Sequence, residues 1–303
     1  MCLGMKLVAL GAAEPEFGLV MPEFMLESNR LLRPRTLAGM SASPRRTRWG
    51  FVLTPAARGA ENMALDEALM ERARQTGEWL LRVYSWRTPT ISLGRNQTAR
   101  GRYDLQRLRE RGVDVVRRPT GGRAILHARE ITYSVTAPVD DAGGLRASYD
   151  RINRLLTAAL SFLGVDAVAV AGAGHRHPVP GMAPCFDEPS AGELTVEGRK
   201  LAGSAQWRHE GALLQHGSIL VGDDQTALAD FTIGGGTVIP PPATLGRILS
   251  SVPSPRDLAD VLATAIRSLE DPDVAEVYLD EEIRARASAL VVRYLDDGWT
   301  WRR

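Results

Sequence analysis

Three short apolar or alternating runs, Leu194–Val196, Lys200–Arg208 and Ala212–Val221, are separated only by three residues each, with Glu197-Gly198 and Glu210-Gly211 at the turns. Links this short can join only antiparallel neighbours, since a parallel return needs a crossover of about a dozen residues or more. The segment predicts a meander, and any sheet this chain builds must accommodate it.

Upstream, strands and helices are mixed without a regular alternation. Trp49–Leu53 reads as a first strand. Glu61–Arg74 carries Met63, Ala64, Ala68 and Met70 at helical spacing and reads as an amphipathic helix, its apolar stripe core-facing. Leu80–Tyr84 and Thr90–Gly94 read as strands about a turn at Trp86–Pro89, and Asp104–Arg111 as a charged helix stopped by Gly112. Val113–Arg117 is expected to be a buried strand and Pro119–Gly122 a tight loop. Ala124–His127 and Ile131–Thr136 are expected to form a hairpin-like pair about Ala128–Glu130. Tyr149–Leu163 reads as a second amphipathic helix closed by Gly164. After Thr226 the pattern turns helical, over Leu245–Ser250, Pro255–Leu269 and Glu281–Leu295. Helices interspersed among antiparallel strands predict an α+β or mixed α/β fold, with a mixed, largely antiparallel central sheet flanked by helices. Residues 1–45 read as a loosely ordered tail rather than a targeting segment, 46–240 as the main domain, and 241–303 as a C-terminal helical extension packed on it.

Composition narrows the function classes. A formal net charge of +1 gives no electrostatic case for nucleic acid or an acidic membrane. Two cysteines, Cys2 and Cys185, cannot make a disulfide framework and suit a reducing cytosol. No apolar stretch approaches the roughly 20 residues that span a bilayer. Of 37 basic residues only Lys6 and Lys200 are lysine. Where arginine serves almost every other cationic position, Lys200 stands out as a place that uses a compact, deprotonatable ammonium. Cys185, fifteen residues earlier, makes with it a candidate nucleophile and activator. Read alone, the two are more readily a small packed hydrophobe and a surface charge, and it is the flanking motifs that favour the chemical reading. Adjacent glycines in Arg117-Arg118-Pro119-Thr120-Gly121-Gly122-Arg123 let backbone approach a ligand and point N–H groups at it, although a plain turn would carry the same pair.

These segments together resemble the biotin/lipoate protein ligase superfamily. Arg117–His127 is similar to its lipoate-binding Arg-Arg-x-x-Gly-Gly loop. Matches in the same order are Asn62–Leu69, Tyr84-Ser85-Trp86, Gly198–Leu201 with Gly203–Gln206, Gln215–Ile219, and Tyr294 to Thr300. They span about Trp49 to Arg303. Arg123 stands where ATP-using lipoate ligases usually have a third glycine, and no Gly-Asn-x-Asn follows His127. Pro184-Cys185-Phe186 lies upstream of the lysine, as in the LipM-type octanoyltransferases. The resemblance implies a class II synthetase-like catalytic domain over 46–240 that needs no cofactor or metal. It implies an octanoyl acyl carrier protein donor, a lipoyl domain or glycine-cleavage H protein as acceptor, and a cytoplasmic setting. Cys185 and Lys200 would be catalytic; Arg117, Arg118, Gly121, Gly122, Arg123, His127, Gly203, Ser204 and Ala205 would bind substrate. Ala128 replaces the aspartate common after the histidine, so that carboxylate is missing or supplied by Glu130.

Several local readings stay open. Arg117 and Arg118 either meet an acidic carrier or bridge carboxylates across the sheet. His127 is a pocket wall, a second base or a hydrogen-bonded structural residue, and Ile125, Leu126 and Val135 offer apolar surface to an eight-carbon chain. His216 reads as a strand residue whose side chain bonds a neighbour. His175 and His177 with Cys185 lack a fourth ligand at usual zinc spacing. The rival functions are an ATP-dependent lipoate ligase, an octanoyl amidotransferase between lipoyl domains, and a non-catalytic acyl- or lipoyl-domain-binding module.

Overall fold

Two sheets share the chain. A computed structural model describes residues 47–139, 144–170, 192–235 and 239–303. Strands β1 (Trp49–Leu53), β2 (Trp79–Tyr84), β6 (Glu130–Pro138), β7 (Val168–Ala169), β8 (Leu194–Val196), β9 (Arg199–His209), β10 (Ala212–Leu220) and β11 (Ala275–Glu276) form an eight-stranded sheet in the order β11-β1-β2-β6-β10-β9-β8-β7. Strands β3 (Thr90–Leu93), β4 (Asp114–Arg117) and β5 (Ile125–His127) form a second sheet in the order β4-β3-β5. Among the described strands, β1 pairs in parallel with β2 and β11, and β3 with β4; the remaining strand ladders are antiparallel. The expected mixed, largely antiparallel sheet is present.

The meander folds as its dipeptides demand. Glu197 and Gly198 take φ 51° and 73°, and Glu210 and Gly211 take 47° and 80°. Two successive positive φ values match the right-handed twist of the flanking strands, as in the primed hairpin turns. A glutamate there costs about 1–2 kcal/mol, and glycine at the second position avoids that cost.

Helices cover both faces of the large sheet. On one face α3 (Gly144–Phe162) packs against α5 (Pro255–Leu269), with Leu156, Ala159, Leu160, Leu258, Leu262 and Ile266 buried over Leu81, Ile131, Val135 and Ile219. Ser254 starts α5 with a capping box: its Oγ accepts from Asp257 N while Asp257 accepts from Ser254 N. On the other face α1 (Gly59–Thr76) lies between the strands and α6 (Glu281–Leu295), and its Met63, Ala64 and Leu69 share a cluster with Leu80, Tyr84, Ile283 and Tyr294. Gly77, at φ 74°, ends α1 by donating its N–H to Ala73 O. Short helices α2 (Leu105–Glu110), α4 (Leu245–Ile248) and α7 (Asp297–Thr300) and a 3-10 turn at Gln225–Phe231 complete the described elements. No helix among the described residues is long and apolar enough to cross a membrane.

Two expectations need correction. Ala124–His127 and Ile131–Thr136 do not pair. β5 pairs with β3 in the small sheet, whereas β6 runs between β2 and β10 in the large one. β6 is buried along nearly its whole length and has both edges occupied, so no edge is left for β5. The C-terminal residues also do more than append helices: β11 extends the large sheet beside β1, α5 covers one face and α6 covers α1 on the other.

Between α1 and the sheet lies a buried ion pair. Arg82 on β2 and Asp66 on α1 are 1% and 0% exposed. Arg82 Nη1 donates to Asp66 Oδ1 at 2.7 Å and to Asn62 O at 3.1 Å; Nη2 donates to Asn62 Oδ1 at 2.7 Å and Nε to Thr54 Oγ1 at 3.0 Å. Asp66 also accepts from Ser134 Oγ, Tyr84 OH and His216 Nδ1. Burial alone would raise the Asp66 pKa, but Arg82, His216 and Ser134 overcome it and hold the carboxyl below its ordinary range. Removing one member leaves the other charge buried and uncompensated. Asp66→Asn and Arg82→Met are each expected to cost about 3–5 kcal/mol, read from urea unfolding, and the double variant less than their sum.

Candidate functional site

The site is built around β10. Strand alternation turns His216 and Ser218 toward α1, and Gln215 and Gly217 toward the opposite face. His216 is buried. Its Nδ1 lies 3.1 Å from Asp66 Oδ2 and its Nε2 lies 2.7 Å from Thr120 Oγ1. With the carboxylate able only to accept, Nδ1 carries the proton, Nε2 accepts, and the threonine hydroxyl donates. Burial pulls the His216 pKa below its ordinary value; Arg118 and His127 act in the same sense, and Asp66 opposes them without winning.

Thr120 leads into the glycine pair. Its carbonyl accepts from Arg95 N at 2.8 Å. Arg118 curls beneath the loop, its Nε and Nη2 donating to Gly121 O, Nη2 also to Arg123 O, and Nη1 to the carbonyl and hydroxyl of Ser92. Gly122, at φ 91°, could not carry a side chain without meeting Arg118 Nη2, and a Cβ at Gly94 would lie 1.9 Å from Gly122 O. The loop therefore rests directly on the end of β3. Arg117 is buried too, donating to Gly94 O, Gln97 O and Thr300 O. Burial first, then Arg302, Arg303 and Arg118, pull its pKa down to about 10, which leaves it charged at neutral pH.

Arg117 therefore neither faces a partner nor bridges carboxylates, and Arg118 spends the bonds described above on loop carbonyls and on Ser92 of β3. Both serve as internal scaffolds, a use that five rigid donors allow. His127 is buried and stacks on Trp86 at 3.9 Å, with Nε2 2.7 Å from Ser92 Oγ and Nδ1 2.7 Å from Glu130 Oε1. The carboxylate of Glu130 thus meets the histidine despite Ala128. Ile125, Leu126 and Val135 do not share a wall. They belong to three different apolar clusters, because adjacent β5 residues face opposite ways and Val135 lies in the other sheet.

On the opposite face of β10, Tyr133 of β6 and Ser204 of β9 meet across Gly217, OH to Oγ at 2.7 Å. A Cβ at Gly217 would come within 2.8 Å of the Tyr133 ring and 2.7 Å of Ser204 Oγ, so glycine opens that passage. Gln215 donates to Tyr133 OH and accepts from Gln206. Gly203 and Ala205 pair with Ser218 and His216. Lys200, earlier on β9, is 3% exposed, and its Nζ lies 2.6 Å from Glu193 Oε1. A bulge in β8 between Leu194 and Thr195 sets the local register, with Thr195 opposite Lys200. Cys185, His175 and His177 lie outside the described residues.

The sequence reading passed over Thr120, Tyr133, Glu193 and the link from Asp66 to His216. The only local signal was polar residues, Asn62 and Asp66, inside an apolar helical stripe, a pattern that marks a buried polar network.

Acid should act on this network in a fixed order. The depressed His216 value means stability is fully present above about pH 6.5, the unfolded value, and falls as pH drops below it. Asp66, also depressed, holds its contribution above about pH 3.8 and loses it as pH falls further. Urea midpoints should therefore decline in two stages on acidification, and His216→Gln should abolish the first.

The model of the lipoyl protein ligase A/B catalytic domain matches residues 58–263. The octanoyltransferase LipM of Kyrpidia tusciae is 38% identical over 279 residues, covering 84% of this chain and 99% of that protein. The octanoyltransferase LipM of Moorella thermoacetica is 44% identical over 187 residues, covering 59% and 68%. Among solved structures, lipoate-protein ligase A bound with ATP superposes with a TM-score of 0.67 at 22% identity, covering 84% of this chain and 98% of that one. The bipartite lipoate protein ligase of Thermoplasma acidophilum gives 0.65 at 20%, covering 84% and 96%. These two show the shared fold, while the sequence matches place the protein more narrowly: it belongs to the lipoyl protein ligase A/B catalytic-domain family, alongside the LipM octanoyltransferases.

Proposed function

We propose that this protein is an acyltransferase of lipoate biosynthesis. It moves an octanoyl group from acyl carrier protein, through a thioester on Cys185, to the lipoyl-accepting lysine of a lipoyl domain or the glycine-cleavage H protein. The observation that carries the reading is the burial of Lys200, 3% exposed and ion-paired with Glu193 on the strand that continues into Gly203-Ser204-Ala205. A lysine placed there, in a chain that otherwise uses arginine, fits proton transfer better than structure. The near full-length likeness to an octanoyltransferase supports the same chemistry.

The steps balance with these groups alone. Cys185 thiolate, paired with the Lys200 ammonium, attacks the donor thioester carbonyl. The donor thiolate leaves and takes a proton from Lys200, and the acyl-enzyme remains. The acceptor amine then attacks the new thioester, its excess proton passes to the neutral Lys200 amine, and the thiolate is restored. The N–H groups of Gly121 and Gly122 are suited to hold the oxyanion in both steps, a contribution of roughly 3 kcal/mol per donor in comparable sites. Glu193 fixes where the ammonium points.

Intact mass decides among the rivals. Incubation with octanoyl carrier protein should add one octanoyl group to the wild type and none to Cys185→Ala. Lys200→Arg keeps the charge but cannot give up its proton, and turnover should fall by about 10²–10⁴-fold, the usual worth of a positioned acid–base group. Modification of apo H protein from octanoate plus ATP, undiminished in Cys185→Ala, would establish a ligase instead. A donor panel that works only with octanoylated H protein would establish an amidotransferase, and binding without any adduct a non-catalytic module.

A further inference from the structure

Asp66, His216 and Thr120 are arranged as a carboxylate, an imidazole and a hydroxyl in series, 3.1 Å and 2.7 Å apart. In hydrolases and acyltransferases this series activates an alcohol as nucleophile. Here the hydroxyl cannot reach a substrate. Thr120 is 0% exposed, His216 is 7% exposed, and Asp66 is sealed under α1 against Arg82. A buried alcohol at the end of such a chain can transmit position but not attack.

What it transmits follows from peptide geometry. The Thr120 carbonyl is held by Arg95 N, and the Gly121 carbonyl by Arg118. A trans peptide sets its N–H opposite its C=O. The N–H of Gly121 must therefore point away from Arg95, and that of Gly122 away from Arg118. Neither has a hydrogen-bond acceptor among the described residues. The side chain of Thr120 is the remaining freedom at the head of this loop, and His216 removes it. We propose that His216 is a positioning residue: through Thr120 it clamps the Gly121-Gly122 loop so that two unpaired amides face the acyl carbonyl. The inference rests on the acyl-transfer reading above for its consequence, though not for the clamp itself.

The two isosteric directions at Thr120 separate the clamp from simple packing. Thr120→Val keeps the methyl and loses the hydroxyl; Thr120→Ser keeps the hydroxyl and loses the methyl. Amide exchange is measured first, without substrate, at the Arg95 amide, whose acceptor is Thr120 O. The clamp predicts exchange at least tenfold faster in Thr120→Val and in His216→Phe than in the wild type, with Thr120→Ser within about threefold. Cys185 acylation by octanoyl carrier protein is then followed by quenched mass measurement. Thr120→Val should acylate ten- to a hundredfold more slowly at saturating donor, with the donor KM within about twofold, and Thr120→Ser should restore the rate. Unchanged Arg95 exchange in Thr120→Val overturns the clamp whatever reaction the enzyme performs, and so does a serine variant as impaired as the valine. Faster exchange in Thr120→Val, together with a wild type that never forms an acyl-enzyme, keeps the clamp and overturns the reaction assigned to the site. An octanoyl ester on Thr120 in Cys185→Ala would make the residue a nucleophile and end the proposal.

Discussion

The carboxylate of Asp66 is where the fold and the site share a single charge. It neutralises Arg82, which is sealed between α1 and β2, and it also orients His216 on β10. Arg82 brings the helix and the sheet into register by reaching Thr54 and both oxygens of Asn62, its backbone carbonyl and its side-chain Oδ1. His216 carries the same register outward to the Gly-Gly loop. A buried ion pair in isolation is weak evidence for stability, because desolvation offsets most of the Coulomb gain. This one is accompanied by hydrogen bonds from Ser134, Tyr84 and His216, so nearly every displaced water contact is replaced. The consequence is specificity: α1 has one position on the sheet in which all these donors are met.

The chain divides its cations by what each can do. Arg82, Arg117 and Arg118 are all buried, and all act as internal ties for carbonyls, hydroxyls and a carboxylate. A guanidinium suits that work because it offers five donors in a fixed plane and does not lose its charge, even for Arg117 with its pKa drawn down to about 10. Lysine offers fewer, rotatable donors and can surrender a proton. The one lysine among the described residues is also buried, beside a glutamate, on the strand that runs through Gly203-Ser204-Ala205.

Much of the scaffold was legible, because it is written in short-range signals. The Glu-Gly turns declared the meander, Gly164 closed α3, and Pro255 behind Ser254 opened α5. Pairing partners were harder to read. Ile131–Thr136 is apolar and β-branched enough to be a strand, yet nothing local says that both its edges will be taken by β2 and β10, far away in sequence. Two-residue strands such as β7 and β11 carry no periodicity at all. At the site, the glycine loop and Lys200 were visible as motifs. The burial of Arg117 and Arg118 was not, since charge alone places arginine at the surface, whereas the carbonyls of Gly94, Gln97 and Thr300 draw in Arg117 and those of Ser92, Gly121 and Arg123 draw in Arg118.

Gln215-His216-Gly217-Ser218 shows why such a stretch must be read residue by residue. On a strand these four alternate between two environments. Gln215 ties Tyr133 to Gln206 on one face, and Gly217 on that face has no side chain, which lets Tyr133 and Ser204 touch. His216 on the other face links Asp66 to Thr120, and Ser218 donates to the Glu130 carboxylate that also holds His127. No substitution at one of these positions can be compensated by its neighbour, because the neighbour points the other way. The central strand therefore has to be polar, buried and invariant in register all at once. The flanking ladders with β6 and β9, continuous along almost its full length, supply that constraint.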